Sequence, residues 1–259
     1  MRLVTPREPF LHHLQLAASV CPTRSPRPIL QDVLITTTDG QVELVSTDGE
    51  VSLRTRYAAD GVKGEGKAAF PAVTLLSAVR SMADDVIQID EKDSQHEISC
   101  GSAVFKLNGD DPEMFPTIPT VDVKTAVSVP VKDFVELCER TTFAAAREMG
   151  RYAFNGVLLE VDPNEMTLVA TDGRRLALAR LEGQTGISKR QSRIPPVKGL
   201  AQLQRAGSEA GPDAVLKIGL LENQVAFALP STALAAQLAH GELPHPRPVP
   251  PTAAGAPPQ

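Results

Sequence analysis

Apolar residues at Phe10, Leu14, Ala17, Ala18 and Cys21 recur at spacings of three and four, which predicts an amphipathic helix near the start of the chain. Two alternating runs follow, Val42 to Ser46 and Val51 to Thr55, with Thr47-Asp48-Gly49 between them. Asp-Gly between alternating runs predicts a hairpin, because Gly accepts the positive φ that a tight turn demands. Pro71 opens a second helical stretch with Val73, Leu76 and Val79 expected inward. A proline is tolerated in a first helical turn because its missing N–H would have no partner there. Val86 to Ile89, Glu97 to Cys100 and Ala103 to Leu107 read as closing strands. The order helix, strands, helix, strands predicts an α+β unit with both helices on one face of antiparallel sheets.

The same pattern returns 124 residues later. Phe10 falls on Phe134, Val33-Leu34 on Val157-Leu158, and Val45-Ser46-Thr47-Asp48-Gly49 on Val169-Ala170-Thr171-Asp172-Gly173. Phe70-Pro71 falls on Ile194-Pro195 and Leu76 on Leu200, after which the register drifts by a few residues. Phe134, Leu137, Cys138 and Thr141 supply the counterpart of the first helix, and Pro195 or Pro196 opens that of the second. An offset held over about 65 residues, with matching element character, predicts a duplicated domain. The limits expected are 1–122 and 127–244. Residues 245–259 are rich in Pro and Ala without apolar period, and are expected to be disordered because they bury too little to offset their ordering entropy.

Composition narrows the function. Hydrophobic content of 42% is ordinary for a packed domain, and the absence of Trp places the cores on Val, Leu, Ile and Ala. The net charge of −5 argues against gripping nucleic acid by overall charge, so any DNA contact needs a local basic face. Cys21, Cys100 and Cys138 are odd in number and lack C-x-x-C spacing, and read as reduced core cysteines. No apolar stretch reaches the roughly 18 residues of a membrane span. A cytoplasmic protein without membrane contact is expected.

No constellation for catalysis stands out. Asp48 and Asp172 sit in Thr-Asp-Gly turns, where Asp is favoured for backbone reasons. His12 and His13 are adjacent and point to different helix faces, and His96, His240 and His245 lack zinc spacing. Glycine-rich phosphate loops and nucleophile motifs are absent. No catalytic residue, metal or cofactor is expected, and a binding or scaffold role is.

Basic residues fall on equivalent elements of the two units. Arg7, Arg24, Arg27 and Arg80 belong to the first; Arg140, Arg147, Arg151, Lys198 and Arg205 to the second; Lys189, Arg190 and Arg193 cluster before its last helix. Solvated helix surface accounts for such residues singly. If the helices of both units face one surface, they form a stripe able to hold phosphates without reading sequence. Thr171-Asp172-Gly173-Arg174-Arg175-Leu176, with Phe154 nearby, is either a plain hairpin or a hairpin edge beside an apolar notch that captures a partner peptide.

At these residues the chain resembles the bacterial DNA polymerase III β subunit family, the sliding clamps. RYAFNGVLLEV and LVATDGRRLALAR are similar to the family's second-domain signature; RPILQDVLI, FPAVTLLSAVR, FKLNGDDPEMFP and IPPVKGLAQL follow the family in order and spacing. The resemblance covers about residues 1–249. It implies two clamp domains in a non-enzymatic ring subunit that encircles duplex DNA and tethers the polymerase as a processivity factor, by topology and high effective concentration. It places Arg24, Arg80, Arg151, Tyr152 and Lys198 toward DNA. It places Phe154, Thr171, Gly173, Arg174, Arg175, Leu176, Pro244 and Val249 in a pocket for the clamp-binding peptides of DNA polymerase III and the clamp loader. Glu148 stands where the family often has an amide, Arg174 where His is common, and Pro248 where Arg is.

The resemblance further implies three domains per chain in a homo-oligomeric ring, whereas two are read here and the Pro/Ala-rich segment stands where a third begins. The expected subunit is therefore truncated or divergent. A clamp-fold peptide-binding module that does not encircle DNA is the alternative.

Overall fold

The structure, a computed structural model, describes residues 2–38, 40–59, 62, 65–92, 95–118, 126–146, 155–211 and 213–239. The first repeat runs β1 (Arg2–Pro6), α1 (Arg7–Ala18), β2 (Asp32–Thr38), β3 (Gln41–Thr47), β4 (Val51–Ala58), β5 (Gly66–Pro71), α2 (Ala72–Ser81), β6 (Val86–Lys92), β7 (Gln95–Cys100) and β8 (Ala103–Leu107). The second runs β9 (Val127–Pro130), α3 (Val131–Glu139), β10 (Leu158–Asp162), β11 (Glu165–Thr171), β12 (Leu176–Glu182), β13 (Gln191–Arg193), α4 (Val197–Ser208), β14 (Val215–Leu220), β15 (Gln224–Ala228) and β16 (Thr232–Gln237).

The duplication extends to strand register. Leu34 pairs with Val45 and Thr47 with Ser52; exactly 124 residues on, Leu158 pairs with Val169 and Thr171 with Leu176. The later drift is also visible: Gln88 pairs with Ser99, and Lys217 with Ala228, an offset of 129. The four α-helices among the described residues begin directly after a proline, at Pro6, Pro71, Pro130 and Pro196. Proline fixes φ and gives no N–H to the ladder; Pro6, Pro71 and Pro130 each close the strand that precedes the helix, whereas β13 ends at Arg193, ahead of Pro196. Each proline stands just before the first helical residue, one position earlier than the sequence pattern predicts.

Two predicted faces shift. Helix α1 ends at Ala18, so Cys21 lies beyond it, and both residues are only partly buried; the buried face is Phe10, His13, Leu14, Leu16 and Ala17. Helix α2 buries Ala72, Leu75, Ala78 and Val79, while Val73 is 67% exposed and Leu76 half-buried. Val73 and Leu76 stand at helical spacing as Leu75 and Val79 do, so periodicity finds the helix and leaves its rotation open. In α3 the expected Phe134, Leu137 and Cys138 are buried, and Thr141 just past its end donates to the carbonyl of Leu137 at 2.8 Å.

The strands form two four-stranded sheets, β1-β6-β7-β8 and β12-β11-β10-β13, and one eight-stranded sheet, β5-β2-β3-β4-β16-β15-β14-β9. The large sheet joins the repeats, because β4 of the first pairs antiparallel with β16 of the second. One hydrophobic core runs through both repeats. Helix α1 packs on β2, β3 and β4, α4 on β16, and α1 meets α4 across the junction. Ser19 Oγ donates to Gln202 Oε1 at 2.6 Å, Gln202 Nε2 returns a bond to the carbonyl of Ser19 at 2.9 Å, and His12 lies 3.3 Å from Glu209.

A buried polar chain crosses the same junction. Thr55 Oγ1 sits 2.6 Å from His13 Nδ1 and 2.9 Å from Thr232 Oγ1. Burial, with the neighbouring His12 adding to it, lowers the His13 pKa to about 4, so its imidazole is neutral at pH 7. The three cysteines are free thiols, and burial pushes Cys21 and Cys138 up to about 12. No helix among the described residues is long and apolar enough to cross a membrane.

Candidate nucleic-acid and partner interfaces

Helices α1, α2 and α4 border a groove of about 530 Å³ whose walls include Leu16, Ser19, Val73, Leu76, Arg80 and Arg205. Val73, expected to point into the core, is exposed and lines this groove instead; Leu76 packs against the core as expected and also borders the groove. Arg80 and Arg205 thus come from different repeats to one helical surface. Neither side chain has an ion-pair partner among the described residues. Arg24 is exposed in the segment after α1 and does not line the groove.

Other basic residues are already engaged. Arg7 Nε donates to the carbonyl of Val79 at 3.2 Å and its terminal nitrogen to that of Arg80 at 3.3 Å, closing the C-terminus of α2. Arg140 pairs with Glu136 one turn back. Arg190 pairs with Glu160 and Asp162 beside β10, and Arg193 belongs to β13, so this cluster belongs to a sheet rather than to a helix-lined stripe. Lys198, in the first turn of α4, forms an ion pair with Asp48 of the first repeat, and its burial lowers its pKa. Arg147, Arg151 and Tyr152 lie outside the described residues.

The hairpins at Asp48 and Asp172 share one bonding scheme. In the first, Gly49 N donates to Thr47 Oγ1 at 3.1 Å, and Glu50 N and Val51 N both donate to Asp48 Oδ1 at 2.8 Å. In the second, Gly173 N donates to Thr171 Oγ1 at 3.0 Å, and Arg174 N and Arg175 N donate to Asp172 Oδ1 at 2.9 and 3.0 Å. These two backbone donors, with Arg175 behind them, hold the Asp172 carboxyl below its usual range. Gly49 and Gly173 have φ of +98° and +85°, which side-chain-bearing residues rarely adopt. The turn reading of both aspartates therefore holds.

Around the second hairpin the surface is apolar. Arg175 donates to the Phe143 carbonyl at 2.8 Å, and its guanidinium lies 5.8 Å from the Phe143 ring centroid. Phe143 is 60% exposed, Leu176 49% and Leu178 41%. Leu158 pairs with Val169 and Val169 with Leu178, giving an apolar row across β10, β11 and β12; Leu158 and Val169, with Ile194 against them, form a cluster separate from the main core. The structure thus brings Thr171, Gly173, Arg174, Arg175 and Leu176 together. Sequence reasoning missed Phe143, Leu158, Val169, Leu178 and Ile194, although Leu176-Ala177-Leu178 on an alternating strand signalled two outward leucines. Phe154, Pro244 and Val249 lie outside the described residues.

This geometry defines a class: a duplicated α+β scaffold with helices of both repeats packed on a shared sheet. Residues 1–119 match the N-terminal domain, and residues 128–245 the central domain, of the DNA polymerase III beta subunit. A beta sliding clamp of Pseudomonas aeruginosa is 32% identical over 220 residues, covering 85% of this chain and 60% of the relative. Crystal structures of the Pseudomonas aeruginosa DNA polymerase III subunit beta, one of them bound to griselimycin, superpose with a TM-score of 0.88 at 30% identity, covering 95% of this chain and 66% of theirs. The chain belongs to the DNA polymerase III beta subunit family, and has the sliding-clamp fold. It spans about 60 to 66% of the length of these relatives.

Proposed function

We propose that the chain is a non-catalytic DNA sliding clamp subunit, a cytoplasmic processivity factor that holds DNA polymerase III on duplex DNA without reading sequence. Its working domains are 1–122 and 127–244, with 245–259 as a tail. The observation that carries this reading is the helical groove shared by both repeats, into which Arg80 and Arg205 project without carboxylate partners while the protein as a whole is acidic. A few phosphate contacts on an acidic body favour a ring that slides over one that sticks. Arg24, Arg80, Arg151, Tyr152 and Lys198 are the proposed DNA contacts; Lys198 reaches phosphate only by leaving Asp48. Retention on circular duplex DNA, with loss on linearisation, is the expected result. Equal retention on both, or on neither, would sink encirclement.

The apolar row beside the second hairpin supports a peptide pocket built from Phe154, Thr171, Gly173, Arg174, Arg175, Leu176, Pro244 and Val249, open to the polymerase and the clamp loader. Fluorescence titration with a labelled clamp-binding peptide tests it. Binding of that peptide without any retention on circular DNA would favour a peptide-binding module that does not encircle DNA.

A further inference from the structure

After β8 the chain runs back over the large sheet on its way to the second repeat. Asp110 N donates to the Ala69 carbonyl of β5 at 3.0 Å, Lys67 Nζ lies 3.5 Å from Glu113, and Arg54 donates to the Ile118 carbonyl at 3.2 Å. Gly109 presses so closely on β5 that a Cβ there would lie 2.8 Å from the Ala69 carbonyl oxygen. The face it covers is the one turned away from the core residues Val33 and Phe70: Leu34 pairs with Ala69 there, and Asp32 with Pro71. One further contact sets two acids together. The carboxyl of the exposed Asp110 lies within hydrogen-bonding reach of Asp32, which is 2% exposed and whose Oδ2 meets no partner. We propose that Asp32 and Asp110 form a proton-operated latch: one shared proton holds residues 108–118 on β5, and its release frees that segment.

Two carboxylates at hydrogen-bonding distance cannot both ionise without repelling, whereas one proton between them makes a donor and an acceptor. The surroundings do not supply a counter-charge. Cys21 gives Asp32 only a thiol on its backbone carbonyl, at 3.3 Å, and the Pro28–Gln31 turn ahead of β2 has no titratable side chain. Lys67 is turned to Glu113, and Asp111 accepts from Glu113 N at 3.0 Å. The His96 ring stands against Gly109, and burial lowers its pKa, which disfavours the cation. Burial, with Asp110 beside it, raises the pKa of Asp32 above the ordinary carboxylate range. In a lifted segment Asp32 meets water and ionises near its ordinary value of 3.8. Between that value and the raised one, each opening releases one proton. The latch therefore weakens about tenfold for each unit that pH rises, and the loss levels off above the raised value.

The latch requires nothing of the DNA reading. Amide hydrogen exchange of the full chain, in EDTA and corrected for the intrinsic exchange rate, reads it through the Asp110 N–H on the Ala69 carbonyl. From about pH 4.5 to about pH 8.5 the protection of that amide should fall about a hundredfold, while amides of β11 hold within about threefold. The His13 contribution runs the other way, lost as pH falls, and cannot imitate this result. Asp32→Asn and Asp110→Asn each replace the shared proton by a permanent N–H donor, and both should keep the Asp110 position protected across the range. Asp110 is exposed, so its variant folds even where the buried Asp32→Asn does not, and it carries the test alone if need be. A flat profile in the unaltered chain overturns the proposal. So does a fall shared equally by β11, which would be a loss of the whole fold, or a fall that persists undiminished in Asp110→Asn.

Discussion

The two Thr-Asp-Gly hairpins share their three residues, a positive glycine φ and the bonding scheme of Thr and Asp to the turn backbone, yet they end in opposite situations. The Asp48 side chain is 5% exposed and reaches across the domain junction to Lys198; that of Asp172 is 25% exposed and turns back to its own Arg175. On the outer face beside the first hairpin, Arg54 pairs with Glu43 and donates to the Ile118 carbonyl at 3.2 Å. Its equivalent beside the second is Leu178, part of the bare apolar row. Local sequence specifies the turn. The setting of the turn depends on which neighbour the sheet brings to it: a second domain makes it an interface, and solvent leaves it open.

The comparison is broken most severely at Asp48. Asp48→Ala removes the acceptor for two backbone donors and the partner of Lys198 at a covered site, with an expected cost of about 3 kcal/mol. Asp172→Ala removes the same backbone bonds in water, and a clearly smaller loss is expected. Urea unfolding of the two variants decides it; equal losses would mean the junction adds nothing to the turn.

Next in size is a difference of pH response between the repeats. His13 and Asp32 are buried in the first, where the second has Leu137 and Gly156. The folded chain keeps His13 neutral down to about pH 4, while the unfolded chain takes a proton near 6.5. The unfolded state therefore binds more protons between those values, and this residue's contribution to stability falls as pH drops from 6.5 to 4, by about 3 kcal/mol in all. Asp32 works the other way. Burial, and the side chain of Asp110 beside it, raise its pKa, so the folded state protonates first and gains stability as pH falls through the raised value toward 3.8. His13→Leu, which copies the second repeat, should remove the acid-side loss and leave the Asp32 trend. Stability measured from pH 4 to 7 for both chains isolates the difference; parallel curves would refute the assignment to His13.

The repeat, the hairpins and the helix starts were legible because each rests on short-range rules: period two, period three to four, Asp-Gly turns and proline. The strand register follows the sequence offset residue for residue through β12. The rotation of α2 was not legible, since Val73 and Leu76 make as good a stripe as Leu75 and Val79. Nor was the junction. Pairing of β4 with β16 joins residues about 180 apart, and nothing in either strand names the other. That single pairing decides that Asp48 is covered, that Lys198 is held and that Arg80 and Arg205 share a groove. For the proposed peptide surface, the turn residues were readable from their motif. Phe143 was not, because its place under Arg175 depends on where the turn after α3 lies.

A smaller effect separates the two cations on the helical side. Arg80 is unpaired among the described residues, whereas Lys198 must surrender Asp48 before it can neutralise a phosphate. Arg80→Gln should reduce the slope of log binding against log salt by about one, and Lys198→Gln by clearly less, with a stability loss below about 1 kcal/mol. Titration of a short duplex at several salt concentrations measures both slopes, and equal reductions would show that the Asp48 pair does not restrain Lys198.

The smallest effect on the fold comes from Phe143, at 60% exposure with one cation–π neighbour. Phe143→Ala should leave thermal stability nearly unchanged, because little apolar area returns to water and Arg175 keeps its ion pair with Asp172. Its effect should appear in binding instead. The ring holds Arg175 beside Leu176, at the end of the apolar row, so its loss should weaken capture of a labelled clamp-binding peptide about tenfold. Arg54→Leu in the first repeat supplies the converse: it rebuilds the Leu158–Val169–Leu178 row on Leu34 and Val45, at a site where the Ile118 segment already lies. No peptide binding should be gained there. A gain would mean that an apolar row suffices, and that the open edge beside Thr171 is not what distinguishes the second hairpin from the first.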